Sequence, residues 1–177
     1  RQMCIRDSDG TVGATVIYTT NKVAGDDIIV SGNAVFTTKH ASTSKPIMVL
    51  SISLAGSDAL NYVHNATTST TADINKLALT VLAQADSKVY DATTTSSVPP
   101  ALSVLIPSVD TYVSKQVFDT KNVGTNKTLT PAIVINDGNN GNNYTVTLVP
   151  QNIGEITKKD ISLTNISISP KVYDKTV

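Results

Sequence analysis

One short motif occurs twice in this chain and sets a period. Residues 88–93 read Lys-Val-Tyr-Asp-Ala-Thr and residues 171–176 read Lys-Val-Tyr-Asp-Lys-Thr. Three further landmarks recur at nearly the same spacing: Val35-Phe36 with Val117-Phe118, Asn61-Tyr62 with Asn143-Tyr144, and residues 74–76 with residues 156–158. We call the spacing from Val35 to Val117 one period. A fixed internal period is the sequence signature of repeated structural units, and it predicts a tandem array of one module of about 80 residues.

The period also sets the predicted domain boundaries. Residues 9–87 form the first module, residues 88–170 the second and residues 171–177 the start of a third, so we expect an internal piece of a longer protein. Residues 1–8 hold the only cysteine, Cys4, and the only arginines, Arg1 and Arg6. This segment resembles a translated sequencing-adapter scar, and we interpret it as an artefactual or disordered leader. The alternative is a genuine N-terminal arm.

The charge of the chain argues against polyanionic partners. Fourteen basic and fourteen acidic side chains give a formal net charge of zero. Without a basic surface to neutralise phosphates, we expect no binding of nucleic acid. No apolar run approaches the length of about 18 residues that a membrane span needs. Apart from Cys4 the chain has no cysteine, so disulfides do not hold the modules together.

Strand-forming residues with period-two alternation dominate the chain. The clearest run is residues 161–168, which read Ile-Ser-Leu-Thr-Asn-Ile-Ser-Ile. Short strands with turn signals between them predict an all-β sandwich for each module, and no stretch has apolar residues at helical spacing over three turns. We expect the apolar run 77–82 to close the first module. The short segment 84–87 then leads to the second, which predicts a stiff junction.

Two tyrosine-containing pairs are predicted to be structural motifs. A buried tyrosine hydroxyl needs a hydrogen-bond partner, and an aspartate followed by a small residue and threonine bonds its own backbone in a turn. We expect the Tyr-Asp pair to open the first strand of each module, packed where modules meet; a ligand site at that seam is the alternative. The motif residues are Tyr90, Asp91, Tyr173, Asp174, Asn61, Tyr62, Asn143 and Tyr144.

The asparagine-rich loop 136–143 is a weak candidate for a calcium site. Asp137 and Asn139 could supply oxygen ligands, but the loop has a single carboxylate. Its glycines and asparagines suit a long hairpin connection equally well. We therefore predict no resident metal and no cofactor. His40 and His64 have no repeated counterpart, and no serine lies in a nucleophile elbow, so the residues predict no enzyme.

The landmarks together resemble the YDG-type repeats of bacterial filamentous-haemagglutinin-like surface proteins. The elements that carry the resemblance, namely Lys-Val-Tyr-Asp-(Gly)-Thr, Gly-Asp-Asp, Asp-x-Lys-Asn-Val-Gly-Thr and Gly-x-Asn-Tyr-Thr, lie at residues 88–93, 25–27, 119–125 and 141–145. Ala92 and Lys175 replace the glycine of the family. The resemblance spans residues 9–177 and implies Ig-like β-sandwich modules repeated in large bacterial adhesins.

The resemblance also implies a function. We expect non-enzymatic stalk or spacer modules that extend and present an adhesive region, in a protein that is secreted or anchored at the bacterial cell surface. The expected partners are the neighbouring modules of the same chain, and host or neighbour-cell glycans or proteins reached through other regions. The alternative is that the modules themselves bind a carbohydrate or a cell-surface protein through their end loops.

Overall fold

Alternating apolar and polar side chains place much of the chain in β-strands. The computed structural model describes residues 5–7, 9–65, 68–104, 109–170, 172–173 and 175. In this part of the chain the only helix is one 3-10 turn, Ala59–Asn61, and no helix has the length and apolarity that crossing a membrane requires. The strands are β1 (Ile5–Asp7), β2 (Gly13–Ala14), β3 (Ile29–Phe36), β4 (Ser42–Ala55), β5 (Thr68–Asn75), β6 (Leu77–Leu82), β7 (Asp86–Val89), β8 (Ala101–Leu102), β9 (Thr111–Phe118), β10 (Gly124–Asn136), β11 (Tyr144–Val149) and β12 (Gln151–Thr157).

The two repeats each build one sheet, and four strands have the same arrangement in both, while the first sheet has β2 in addition. The first sheet has the order β1-β5-β4-β3-β2, and the second has the order β7-β12-β10-β9. The registers also repeat: Ile5 lies beside Asp73 in the first sheet, and their counterparts one period later, Ser87 and Glu155, lie beside each other in the second. The period of the sequence is therefore a structural period.

Part of the predicted leader lies in the first sheet. Residues 5–7 form β1, which pairs in parallel with β5 in the register that β7 uses on β12. These three residues are therefore ordered as a strand, unlike the disordered leader that the sequence suggested. The other leader residues, 1–4 and 8, lie outside the described part of the chain, and the artefactual origin of the segment stays a prediction.

Each sheet carries the same irregularity next to a buried lysine. The register of β4 with β5 and that of β10 with β12 both shift just before this lysine. Lys45 and Lys127 are only 6% and 7% exposed. Each Nζ donates at 2.6 Å to a threonine hydroxyl, of Thr38 or Thr120. Lys127 also pairs with Asp119 at 2.8 Å, while burial lowers the pKa of Lys45.

The cores of the two sheets use equivalent positions. In the first repeat the aromatic ring of Phe36 packs with Ile47 and Ile74. In the second repeat the residues one period later form an equivalent cluster of their own, which contains Phe118, Leu129 and Ile156. Burying apolar groups of this size is the main favourable contribution to folding, at about 1.5–3 kcal/mol for each large side chain.

A second layer covers the sheet of the second repeat. Strands β8, β6 and β11 form a three-stranded sheet in which β6 is central, antiparallel to β8 and parallel to β11. Leu79 and Val81 of β6 are buried against Ile135 of β10 and Tyr144 of β11. Two sheets with an apolar layer between them form a sandwich. The predicted all-β sandwich class is confirmed, with the two layers seen in the second repeat, whereas the described residues of the first repeat form a single sheet.

Strand β6 lies in a different module from the one that the sequence suggested. The run 77–82 was expected to close the first module, yet it pairs with β8 and β11 of the second repeat. Alternation shows that a strand has one buried face, but it does not show which neighbour covers that face. Strand pairing places the module boundary between β5 and β6, at Lys76, and not between residues 87 and 88.

The counterparts of this second sheet are not strands elsewhere in the described residues. Residues 159–164, which lie one period after β6, belong to no strand, and Ile161 and Leu163 are 87% and 83% exposed. The alternating run 161–168 is thus not the strand that its pattern predicts, because nothing in the described chain pairs with it. Residues 62–65, the counterparts of the start of β11, also form no strand, and Val63 is 99% exposed.

Candidate functional site

A polar junction links the two repeats. Lys39 Nζ, in the loop after β3, donates to Asp110 Oδ1 at 2.9 Å, and the Asp110 side chain is only 3% exposed. The backbone N–H of Ala41 donates to Asn143 Oδ1 at 2.9 Å, and Asn143 Nδ2 lies 3.3 Å from Nδ1 of His40. We call this set of residues the junction. It joins one loop of the first repeat to two elements of the second.

A tyrosine–aspartate hydrogen bond supports the junction from within the second repeat. Tyr144 Oη donates to Asp110 Oδ2 at 2.6 Å. Burial, together with the adjacent Asp110 carboxylate, raises the pKa of Tyr144 well above its ordinary value. The same bond occurs in the first repeat, where Tyr62 Oη donates to Asp26 Oδ2 at 2.5 Å and the pKa of Tyr62 is raised by that hydrogen bond. The Asn-Tyr landmark therefore marks a repeated Tyr–Asp contact.

Asp137 shapes the loop that carries Asn143. Its Oδ1 accepts the backbone N–H groups of Asn139 at 2.7 Å and Gly141 at 2.8 Å, and its Oδ2 accepts that of Asn143 at 3.1 Å. Burial acts to raise the pKa of Asp137, but these three N–H donors outweigh it and hold the pKa below its ordinary value. A carboxylate that accepts several backbone N–H bonds is stabilised in its charged form without a cation.

The two residues proposed as calcium ligands, Asp137 and Asn139, instead form hydrogen bonds within their own loop. Both oxygens of Asp137 face N–H donors, and the side-chain amide of Asn139 donates to Asn143 Oδ1 at 3.1 Å. Among the described residues no group of three or more histidine, cysteine, aspartate or glutamate side chains could hold a metal ion. The loop presents Asn143 to the neighbouring repeat.

The Tyr-Asp motif forms a turn that is locked by a lysine. Asp91 Oδ1 accepts hydrogen bonds at 2.9 Å from Lys88 Nζ and from the backbone N–H and hydroxyl of Thr93. The hydrogen bond from Lys88 has the largest effect on Asp91, and together with the two from Thr93 it lowers the pKa of Asp91 to about 2. The ammonium of Lys88 also lies 5.4 Å from the centre of the Phe118 ring, within cation–π range. Tyr90 packs against the core cluster that contains Phe118.

The other predicted motif residues lie apart from this cluster. Tyr173 is 85% exposed, and Asp174 lies outside the described residues. Asn143 is only 1% exposed, but its counterpart Asn61 is exposed at the end of the 3-10 turn. The same residue type at the same position thus differs in burial because a neighbouring repeat covers only one of the two copies in the described chain.

The Lys39–Asp110 pair was not among the contacts predicted from the sequence. Lys39 does recur one period later as Lys121, a signal that could have drawn attention to it. The counterpart of Asp110 is Asp26, which lies slightly more than one period earlier in the chain. This small displacement hides the aspartate from a comparison at a fixed period.

Comparison with known proteins agrees with the repeat. A family model described as the YDG domain matches twice, at residues 7–71 and 74–152. The second match begins just before β6, as the strand pairing does, and no curated protein matches the chain. Because the two matches together span most of the sequence, the chain belongs to the YDG domain family.

Proposed function

We propose that this chain is a pair of spacer modules from a secreted or surface-anchored bacterial adhesin. In this proposal the modules have no enzymatic activity. They hold an adhesive region at a distance from the cell and keep its direction fixed. Their direct partners are the neighbouring modules of the same chain.

The junction is the observation that supports this proposal. A single residue, Lys76, separates β5 of the first repeat from β6 of the second. A connection this short leaves little freedom for the repeats to swing, and the Lys39–Asp110 and Ala41–Asn143 contacts brace them from another side. Domains joined by a flexible linker reorient freely. A spacer that transmits position needs a braced connection of this kind.

A replacement experiment tests the proposed function. The chain is inserted between the membrane anchor and the adhesive domain of a surface-displayed reporter, and it is compared with a Gly/Ser linker of the same number of residues. The chain should keep the adhesive domain at a larger and narrower range of distances from the cell surface, measured by fluorescence quenching or force spectroscopy. Equal distance distributions for the chain and the linker would refute a spacer role.

The same material tests the alternative of direct binding. The isolated chain is applied to glycan arrays and to cultured cells, with a denatured sample as the control. The spacer proposal expects no saturable binding to either. Saturable binding that is lost on denaturation would instead identify the modules as the adhesive part.

A further inference from the structure

The contact between the repeats has two complementary surfaces. One consists of the loop Lys39 to Ala41 of the first repeat and of β6, the strand that directly follows the first repeat in the chain. We call this set the donor end. The second repeat supplies Asp110, Asn143 and strand β11, which pairs in parallel with β6. We call this set the acceptor end.

A second donor end is exposed at the far side of the second repeat. Its loop holds Lys121, Asn122 and Val123, which lie one period after Lys39, His40 and Ala41. The three earlier residues are partly buried in the junction, whereas the three later ones are exposed. The segment that corresponds to β6 starts at Lys159, and its apolar side chains are 87% exposed at Ile161 and 83% exposed at Leu163.

A second acceptor end is exposed at the near side of the first repeat. Tyr62 donates to Asp26 as Tyr144 donates to Asp110. Asn61, the counterpart of Asn143, is exposed. The residues that correspond to the start of β11 follow it as Tyr62 to Asn65, in no strand. Val63 among them is 99% exposed.

We propose that a second copy of this chain docks head to tail, with the donor end of one copy on the acceptor end of the next. Residues 159–163 of one copy become a strand beside residues 62–65 of the other, parallel as β6 is to β11. The register of that pair, in which Leu77 lies beside Tyr144 and Thr80 beside Thr147, then places Lys159 beside Tyr62 and Ser162 beside Asn65.

The polar part of the junction repeats at the same time. Lys121 of one copy meets Asp26 of the next, as Lys39 meets Asp110 at 2.9 Å within one chain. The backbone N–H of Val123 meets the amide oxygen of Asn61, as that of Ala41 meets Asn143 at 2.9 Å. The interface uses two different surfaces and leaves one of each free in every dimer. Such a heterologous contact adds further copies and builds open chains.

Sedimentation velocity and light scattering test this proposal on the full chain. We expect the mean mass to rise with concentration from the low micromolar to the millimolar range. The double variant Ile161→Lys/Leu163→Lys removes the buried face of the added strand and should stay monomeric. The matched control Ser162→Lys/Thr164→Lys adds the same charge on the opposite face and should still associate. All four positions lie outside both cores, so these variants should fold, as circular dichroism verifies.

Disulfide trapping tests the register. In a Cys4→Ser background, one preparation carries Asn65→Cys and a second carries Ser162→Cys, and the two are mixed under mild oxidation. Directly opposed strand residues lie within the Cα distance of about 4.4–6.8 Å that a disulfide spans. We expect a covalent dimer on a non-reducing gel, at several-fold higher yield than for Asn65→Cys mixed with Thr164→Cys.

Three results would each overturn the proposal. One is a monomeric mass for the unmodified chain at every concentration. Another is association that persists in the Ile161→Lys/Leu163→Lys variant. The third is an equal yield of covalent dimer from the two cysteine pairs. None of these results depends on whether the modules act as spacers, so the proposed function is tested separately.

Discussion

At the scale of single residues, the turn that follows the motif aspartate requires a left-handed backbone. Gly10 has φ 77°, and the two residues at the same place in later repeats, Ala92 and Lys175, have φ 65° and 61°. A residue with a Cβ atom pays about 1–2 kcal/mol for this conformation. At Ala92 the turn keeps this geometry without glycine because Asp91 fixes the backbone through its hydrogen bond from Thr93.

We expect Ala92→Gly to stabilise the chain. Glycine removes the left-handed strain but loses more backbone entropy on folding, so the net gain should be about 0.5–1 kcal/mol. The matched control is Gly10→Ala, which creates the same strain in the first repeat and should destabilise by a similar amount. Urea unfolding gives both free energies. A loss of stability in Ala92→Gly would show that the strain is not present.

At the scale of elements, one carboxylate fixes the loop between β10 and β11, which lie in different sheets and so do not form the hairpin that the sequence suggested. Asp137 is 2% exposed and takes three backbone N–H groups of its own loop. This arrangement lets a run of flexible asparagines and glycines hold a single shape. The loop shape in turn fixes Asn143, whose amide oxygen receives Ala41 from the other repeat.

We expect Asp137→Asn to cost about 1–3 kcal/mol, because the new amide group turns an N–H donor toward backbone N–H donors. The pKa of Asp137 lies below its ordinary value of 3.8 in the folded chain. The Asp137 carboxylate therefore stabilises the folded chain fully above pH 3.8. This stabilisation is lost as the pH falls through the lower pKa that Asp137 has in the folded chain. The variant should lack this acid-induced loss in urea unfolding measured at several pH values.

Two controls accompany this measurement. Asp160→Asn removes a carboxylate from an exposed segment and should change the free energy of unfolding by less than about 0.5 kcal/mol. Calcium and a chelator should leave the thermal midpoint of the unmodified chain unchanged. A calcium-dependent rise in that midpoint, lost in Asp137→Asn, would restore the loop as a cation site.

At the scale of the whole molecule, the connection between repeats is a packed contact and not a tether. Lys39 reaches an aspartate that is nearly inaccessible to water and that already accepts the hydroxyl of Tyr144. Removing one partner of such a pair leaves a buried charge without its counter-charge, which costs more than breaking a pair on the surface. The orientation of the two repeats should therefore depend on this one lysine.

We expect Lys39→Met to destabilise the chain by about 1–3 kcal/mol and to loosen the relative orientation of the repeats. The matched variant is Lys121→Met, at the equivalent exposed position, which should change stability by less than about 0.5 kcal/mol. Thermal unfolding and small-angle scattering at low concentration measure the two effects. Equal results for the two lysines would contradict a bracing role for Lys39.

Much of the fold could be predicted from the sequence, because side-chain periodicity and turn chemistry are local properties. The period, the strand class and the turn at Asp91 all follow from which residues are neighbours along the chain. Phe36 and Phe118 could be matched as equivalent core residues for the same reason. Only part of the candidate site could be predicted from the sequence. The Asn-Tyr landmark was recognised, but the aspartate that its tyrosine binds was not.

Only the tertiary structure determines which module includes β6 and which of the two equivalent asparagines, Asn61 or Asn143, is buried. The run 77–82 alternates in the same way whichever sheet covers it, and it joins the second repeat because Leu79 and Val81 find an apolar layer there. Asn61 and Asn143 are the same residue at the same position, yet only Asn143 meets a neighbouring loop. Local chemistry fixed the elements of this protein, and contacts between residues distant in the chain fixed their partners.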